Sequence, residues 1–215
     1  MRLALALLTV SVFAQPPKLV LVGDSTVTDA SGWGPGFRAA MGDRFAIANH
    51  AKSGRSSKSF RSEGHWAKAL EEKPAFVLIQ FGHNDVPGKG LERETDAAST
   101  YRLNLAQFID EARAIGATPI LVTSIVRRRF TPDGKFQPDS LAPYVEAVHV
   151  VAKAKRVAVM DLYTRTREQA SAAGPEGAKE IGRIGPDGKQ DNTHLGPKGQ
   201  ASVGRMAAEE FERVR

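Results

Sequence analysis

Five residues whose types could support acyl transfer are spread along the chain. They are Ser25 in "GDST", Gly54 in "KSGRSSKS", Asn84 in "FGHND", and Asp191 with His194 in "DNTH". A serine hydroxyl attacks a carbonyl efficiently when a base takes its proton and N–H donors stabilise the developing oxyanion. An aspartate three residues before a histidine can turn back onto the imidazole and orient it as that base. The set therefore supplies a nucleophile, an oriented base and donors for an oxyanion.

The elements that would position these residues are predicted from hydrophobic patterning. Short apolar runs without alternation, typical of parallel strands buried on both faces, lie at residues 18–22, 45–48, 76–80, 119–123 and 157–161. Amphipathic stretches at residues 64–71, 95–115, 141–155 and 197–213 predict helices between and after them. This alternation predicts an α/β fold, a three-layer α/β/α sandwich around a five-stranded parallel sheet. Ligands bind such sheets beyond the carboxyl ends of the strands, where Ser25, Gly54 and Asn84 fall.

A segment from about residue 170 to 194 carries no clear periodicity. Its glycines and prolines predict a long irregular loop that ends in "DNTH". Irregular loops of this length in compact domains are usually functional or disordered. Pro197, just after the loop, suits the first turn of a helix that would anchor it.

The N-terminus predicts export. Residues 1–14 combine one arginine, an apolar run of roughly ten residues and a small residue before a proline pair, which is typical of a signal peptide. A buried N-terminal strand is the alternative interpretation. The remaining residues, 15–215, suffice for a single domain with one core, and the chain contains no cysteine for disulfides. We therefore expect a secreted or periplasmic protein without a membrane anchor.

The motifs resemble a known family. "GDST", Gly54, "GHND" and "DNTH", in this order, resemble the four signature blocks of the SGNH or GDSL hydrolases, from about Leu19 to the end of the chain. The strings "GWG", "NHAKSGRSSKSF", "EGHW", "QFGHND" and "DNTHLGPKG" are similar to the rhamnogalacturonan acetylesterase branch. This resemblance implies a flavodoxin-like SGNH hydrolase fold.

The resemblance also implies roles for the five residues. Ser25 would be the nucleophile, His194 the base and Asp191 its orienting carboxylate. The oxyanion hole would comprise the Ser25 N–H, the Gly54 N–H and the Asn84 side chain. No cofactor is needed for this chemistry, and the lack of cysteine and of close histidine pairs argues against a metal site. His83, beside Asn84, is interpreted as a supporting residue.

Candidate substrate contacts follow from charge and aromatic residues. Arg127, Arg128 and Arg129 come after the fourth predicted strand, so one or more could bind a substrate carboxylate, although a solvated basic loop is an equal alternative. Trp33 could stack on a sugar ring, whereas Trp66 lies on a helical face and favours a core position. The net charge of +6 suits an acidic partner without identifying it.

Together these observations favour a secreted serine esterase that removes acetyl groups from a polysaccharide, with pectic rhamnogalacturonan as the implied substrate. Acetylxylan, a lipid or a thioester remain alternative acyl substrates, although the loops after the strands are rich in Gly, Ser, Arg and Asp and favour a polar one. An inactive glycan-binding protein or a nucleic-acid binder is disfavoured, because binding alone does not require a serine, a base and its carboxylate. The sequence leaves the oligomeric state open.

Overall fold

A computed structural model describes residues 15–215, so the predicted signal peptide lies outside the described residues. The strands of this part are β1 (Lys18–Gly23), β2 (Ala46–Asn49), β3 (Phe76–Gln80), β4 (Thr118–Val122), β5 (Ala158–Met160), β6 (Gly182–Ile184) and β7 (Gln190–Leu195). The helices are α1 (Gly34–Met41), α2 (Ser57–Ser62), α3 (His65–Glu71), α4 (Thr100–Ala114), α5 (Ala142–Lys155), α6 (Leu162–Ile181) and α7 (Pro197–Val214). Among residues 15–215, no helix is long and apolar enough to cross a membrane.

The central sheet has the strand order β2-β1-β3-β4-β5, and every neighbouring pair is parallel. Alternate side chains of β1 enter different cores. Leu19 and Leu21 pack in a cluster that includes Phe37 of α1 and Phe211 of α7. Val20 and Val22 pack in a second cluster with side chains of α3, α4 and α5. The five predicted strands and the three-layer sandwich are confirmed.

Helix α6 and the hairpin that follows it differ from the sequence prediction. The segment expected to be irregular continues as helix to Ile181, with a kink where Gly174 leaves helical geometry before Pro175. Ala170 and Ala178 are buried on either side of the kink, so packing maintains the helix that glycine and proline disfavour. Strands β6 and β7 then form an antiparallel hairpin that carries "DNTH". The predicted long loop was therefore wrong.

The strand order places the carboxyl ends of β1, β3 and β4 side by side at the middle of the sheet. The residues that follow these strands therefore meet at one edge, as expected for a parallel sheet with its ligand site there.

Candidate active site

The nucleophile candidate lies in a tight turn directly after β1. Ser25 is 8% exposed, and its carbonyl accepts hydrogen bonds from the Thr28 hydroxyl at 2.8 Å and the Ser31 hydroxyl at 3.1 Å. The Val27 N–H donates to the Asp24 carbonyl at 3.1 Å and closes the turn. These bonds hold the backbone of Ser25 in place while its hydroxyl faces a cavity.

A buried chain of hydrogen bonds lies beneath this turn. The Trp33 indole N–H donates to Gln80 Oε1 at 2.8 Å, and Gln80 Nε2 donates to Thr26 Oγ1 at 2.6 Å. The Thr26 hydroxyl in turn donates to Asp24 Oδ1 at 2.7 Å. Trp33 is completely buried, so the prediction that it stacks on a sugar ring is wrong. Its polar edge instead anchors the chain that fixes both neighbours of Ser25.

The close approach of Trp33 to the turn depends on its glycine neighbour. A Cβ on Gly32 would lie 2.3 Å from the Thr26 carbonyl oxygen, well inside van der Waals contact. The absence of a side chain therefore lets this segment pack directly on the backbone beside Ser25. The other tryptophan, Trp66, is 4% exposed, which confirms its predicted core position.

Ser25, His194 and Asp191 form a continuous hydrogen-bond chain. His194 Nε2 lies 2.7 Å from Ser25 Oγ, and His194 Nδ1 lies 2.7 Å from Asp191 Oδ2. An ionised carboxylate only accepts hydrogen bonds, so Nδ1 carries the proton and Nε2 accepts the serine hydroxyl. This is the tautomer that a general base requires.

Asp191 is held in its ionised form by the loop that carries it. Its Oδ1 accepts the backbone N–H groups of Thr193 and His194, each at 2.9 Å, and Arg183 Nε approaches Oδ2 at 3.3 Å. Burial alone would raise the pKa of Asp191, but the two N–H groups and the His194 imidazole outweigh burial and hold that pKa well below its usual range. Asp191 therefore remains a carboxylate at any pH at which such a base can work.

The predicted oxyanion donors lie on two neighbouring loops. Asn84 follows β3, lines the same cavity as Ser25, and uses one amide N–H to bond the Arg55 carbonyl at 3.1 Å. Within residues 15–215, its second amide N–H has no protein acceptor and can donate to a ligand. Gly54 adopts a φ of +77° in the turn after β2, and this turn is joined to β1 by the bond from Lys52 N–H to the Gly23 carbonyl at 2.9 Å. Gly54 is not among the residues that line the cavity, so its role stays a prediction.

Asp85, which the sequence reasoning missed, joins these loops. Its carboxylate accepts the Ser57 hydroxyl, the Ser57 N–H and the Thr95 hydroxyl, the last at 3.0 Å. Burial raises the pKa of Asp85 to about 7, while its hydrogen bonds oppose that rise. The only signal in the sequence was its position directly after Asn84. Asp85 thus fixes the loop after β3 against the helix that follows the Gly54 turn.

Replacing Asn84 by alanine is expected to lower kcat by about a hundredfold or more, because one oxyanion donor would be lost. The measurement is steady-state hydrolysis of p-nitrophenyl acetate. Asn104→Ala is the matched control, since it removes a part-buried amide that bonds Ser57 outside the cavity. Full turnover by Asn84→Ala would exclude Asn84 from the oxyanion hole.

The chain matches the GDSL-like lipase/acylhydrolase family over residues 21–201. The chain belongs to this family. Its membership makes it a carboxylic ester hydrolase, in agreement with the resemblance in the motifs.

Relatives and solved structures agree with this assignment. The acylhydrolase is 38% identical to the rhamnogalacturonan acetylesterase RhgT of Bacillus subtilis over 78% of its own length and 74% of that protein. Its fold is similar to that of the Bacillus subtilis protein YxiM, with a TM-score of 0.78 and 24% identity, over 92% of this chain but only 56% of that one. It is also similar to a mutant of Axe2, an acetyl-xylooligosaccharide esterase of Geobacillus, with a TM-score of 0.68, 17% identity and 92% and 93% coverage.

The cavity in front of Ser25 is polar and has a volume of about 330 Å³. Nine of its twelve lining residues carry polar or charged side chains, and the other three are a valine, a proline and a glycine. A long acyl chain would need an apolar lining. The acylhydrolase therefore presents a polar environment to whatever ester reaches its serine.

Three cationic side chains line this cavity. Arg127 donates to the Ser140 hydroxyl at 2.8 Å and to the His83 carbonyl at 3.2 Å, whereas Arg129 is exposed. Lys89, which the sequence reasoning missed, is the third. Burial lowers the pKa of Lys89, and the nearby positive charges of arginines, first Arg127, lower it further. Lys89 and these arginines therefore form a cationic wall on one side of the cavity.

Arg128 does not line the cavity, so the prediction that it binds substrate is wrong for this arginine. It is 5% exposed, and its guanidinium donates to backbone carbonyls of the "DNTH" segment. Successive side chains in the extended segment after β4 point in opposite directions. Arg127 and Arg129 therefore line the cavity, while Arg128 contacts the β6–β7 hairpin.

His83 lies beneath the cavity as part of a second acid–imidazole contact. Its Nδ1 is 3.5 Å from Asp24 Oδ2, and both side chains are almost fully buried. Burial would raise the pKa of Asp24, but the nearby His83 imidazole and the hydrogen bonds from Thr26 outweigh burial and lower it. Within residues 15–215, no group of three or more acidic or histidine side chains could hold a metal ion.

Proposed function

We propose that this acylhydrolase is a serine esterase that removes O-acetyl groups from an acidic polysaccharide, most specifically pectic rhamnogalacturonan. The observation that carries the proposal is the hydrogen-bonded chain of Ser25, His194 and Asp191 beside a polar cavity with a cationic wall. The relative RhgT, named a rhamnogalacturonan acetylesterase, supports the choice of reaction and substrate.

The proposed reaction begins with attack of Ser25 Oγ on the acetyl carbonyl while His194 Nε2 takes the hydroxyl proton. The tetrahedral oxyanion is stabilised by the free amide N–H of Asn84 and the N–H groups of Ser25 and Gly54. His194 then returns the proton to the sugar oxygen, which leaves as a hydroxyl. Water, activated by the same imidazole, hydrolyses the acetyl-serine and releases acetate.

The size of the cleft supports a polymeric substrate. Two further cavities, of about 600 and 230 Å³, adjoin the one at Ser25, and all three share Ser140 as a lining residue. The largest does not contain Ser25, so we place the chemistry in the central cavity and neighbouring sugar units in the outer two. An acetyl group alone needs only a small part of this space.

The cationic wall supports an acidic sugar near the scissile ester. A carboxylate is an acceptor that Arg129 and Lys89 can both bind through charge-assisted hydrogen bonds. Arg127 already bonds Ser140 and His83 and lies 3.5 Å from Asp139 Oδ1, so it contributes less than Arg129 and Lys89. Uronic acid units in pectin carry such a carboxylate.

The first experiment measures acetate release from acetylated rhamnogalacturonan-rich pectin and from acetylated xylan. We expect the pectin to be preferred. Release from xylan alone would retain the esterase chemistry and overturn the acidic substrate.

Arg129→Gln and Lys89→Gln are each expected to raise KM for acetylated pectin by about tenfold and to leave kcat nearly unchanged, because each removes one charged contact at a partly exposed site. Hydrolysis of p-nitrophenyl acetate should not change, since this ester has no carboxylate. Lys135→Gln removes an exposed lysine that pairs with Asp133 and is the control for net charge. Equal KM values for the wild type and both cavity variants would contradict the proposal that Arg129 and Lys89 bind a carboxylate of the substrate.

We also propose that residues 1–14 are a signal peptide and that the mature domain, residues 15–215, acts outside the cytoplasm, either secreted or in a periplasm. The support is the order of charged, apolar and small residues in this segment. Mass spectrometry of the N-terminus of the protein recovered from its host would test it. An intact N-terminus in the exported fraction would contradict cleavage.

A further inference from the structure

One buried arginine contacts every carbonyl of the segment that carries the acid and the base. The Arg128 guanidinium donates to the carbonyls of His194 at 2.6 Å, Asp191 at 3.3 Å and Thr193 at 3.5 Å. Its backbone N–H donates to the remaining carbonyl, that of Asn192, at 2.8 Å. Within the described residues, the guanidinium has no carboxylate partner at ion-pair distance. The buried positive charge of Arg128 therefore interacts with backbone carbonyl dipoles and not with a carboxylate.

The ladder of the hairpin leaves three of these four residues without a partner on β6. In the β6–β7 ladder, Gly182 pairs with Leu195 and the next residue, Arg183, pairs with Asp191. One step along β6 therefore corresponds to four steps along β7. Residues 192–194 have no partner on β6 and form a bulge in the ladder. His194 lies in this bulge. Backbone carbonyls left unpaired at this half-buried site would cost stability, and Arg128 donates to them.

The packing of the hairpin leaves room for this arrangement only because position 182 is glycine. A Cβ on Gly182 would lie 3.2 Å from Arg128 Nη2 and 2.6 Å from the Asp191 carbonyl oxygen. A side chain there would push against the guanidinium and the bulge together. The glycine, the bulge and the arginine therefore form one packed unit.

We propose that Arg128 is a positioning residue that holds the segment from Asp191 to His194 in register with Ser25. The residue extends from the segment after β4, a central strand, so it connects the bulge to the same sheet that positions the nucleophile turn. His194 Nε2 must stay within hydrogen-bond distance of Ser25 Oγ, and a displacement of about 1 Å can cost about a hundredfold in rate. The planar guanidinium presents five N–H donors in a fixed fork on three nitrogens, whereas the three donors of a lysine ammonium all start from one nitrogen.

The test compares Arg128→Met, Arg128→Lys and Arg165→Met with p-nitrophenyl acetate as substrate. We expect Arg128→Met to lower kcat by about a hundredfold with KM changed by less than about threefold, because the base moves while the cavity stays intact. Arg128→Lys should recover part of the loss, to about tenfold below wild type. Arg165→Met removes contacts to Glu209 and Glu210 that lie outside the cavity. Its kcat should stay within about twofold of the wild-type value, while its Tm falls about as far as that of Arg128→Met.

Two outcomes would overturn the proposal. The first is a kcat for Arg128→Met that matches the Arg165→Met control. The second is full turnover by the milder Arg128→Lys variant, which serves as the test if Arg128→Met does not fold. Either result would mean that Arg128 stabilises the fold and does not position His194.

The kinetic readout rests on the proposed esterase function, so a second measurement separates the two. The His194 Nδ1 proton, hydrogen-bonded to Asp191, gives a downfield proton NMR resonance that needs no substrate. We expect this resonance in the wild type and its loss or broadening in the Arg128 variants. An inactive wild type would refute the esterase proposal, while an unchanged resonance in the variants would still refute the positioning role.

Discussion

Ser25→Ala is expected to lower kcat for acetyl ester hydrolysis by about 10⁴-fold or more, the loss typical when the nucleophile of such a triad is removed. The physical reason is that Ser25 Oγ is the atom that His194 Nε2 contacts, at 2.7 Å, so no acyl-enzyme can form without it. The fold should survive, because the hydroxyl makes no other hydrogen bond among the described residues. Initial rates of acetate release and labelling by a fluorophosphonate probe measure the effect.

Ser202→Ala is the matched control for Ser25→Ala. Ser202 is a half-buried serine on α7 whose hydroxyl donates to the Gly199 carbonyl, and its loss should leave both rate and labelling unchanged. Turnover by Ser25→Ala above about one per cent of the wild-type rate would indicate a different nucleophile. Labelling that persists in Ser25→Ala would lead to the same conclusion.

The sheet could be predicted from sequence because its signal is local. Strands buried on both faces need continuous apolar runs, and all five predicted runs begin within one residue of the observed strand, with β3 matched at both ends. The relation between Asp191 and His194 was also local, since three residues in a turn suffice to bring the two side chains together. Patterns of this kind do not depend on the rest of the fold.

The directions of single side chains could not be predicted, because distant segments decide them. Trp33 was expected to stack on a sugar ring, yet it is completely buried and Gln80 on β3 supplies the acceptor for its indole N–H. Arg128 lies between two arginines that face the cavity. Its side chain points away from the cavity because the carbonyls at the bulge in β7 accept its hydrogen bonds. Lys89 had no periodicity or motif of its own, and Asp85 was visible only as the last residue of "GHND", so the fold alone shows what these two side chains contact.

Asp191→Asn is expected to lower kcat by about 10³- to 10⁴-fold at neutral pH while leaving the loop geometry intact. Asp191 Oδ1 accepts two backbone N–H groups, so the amide oxygen of an asparagine must occupy that position. The amide NH₂ then faces His194 Nδ1, which must become the acceptor, and the ring proton moves to Nε2. A protonated Nε2 cannot take the proton of Ser25.

The measurement is the pH dependence of kcat for the wild type and Asp191→Asn with the same acetyl ester. Because the pKa of Asp191 is held well below its usual range, the wild type keeps its carboxylate through the working pH range and never mimics the variant. Asp187→Asn is the control, since this exposed aspartate of the same hairpin contacts the N–H and the ammonium of Lys189, away from His194, and should have wild-type turnover. Equal kcat values for Asp191→Asn and this control would mean that backbone contacts alone orient His194, and the carboxylate would lose its proposed role.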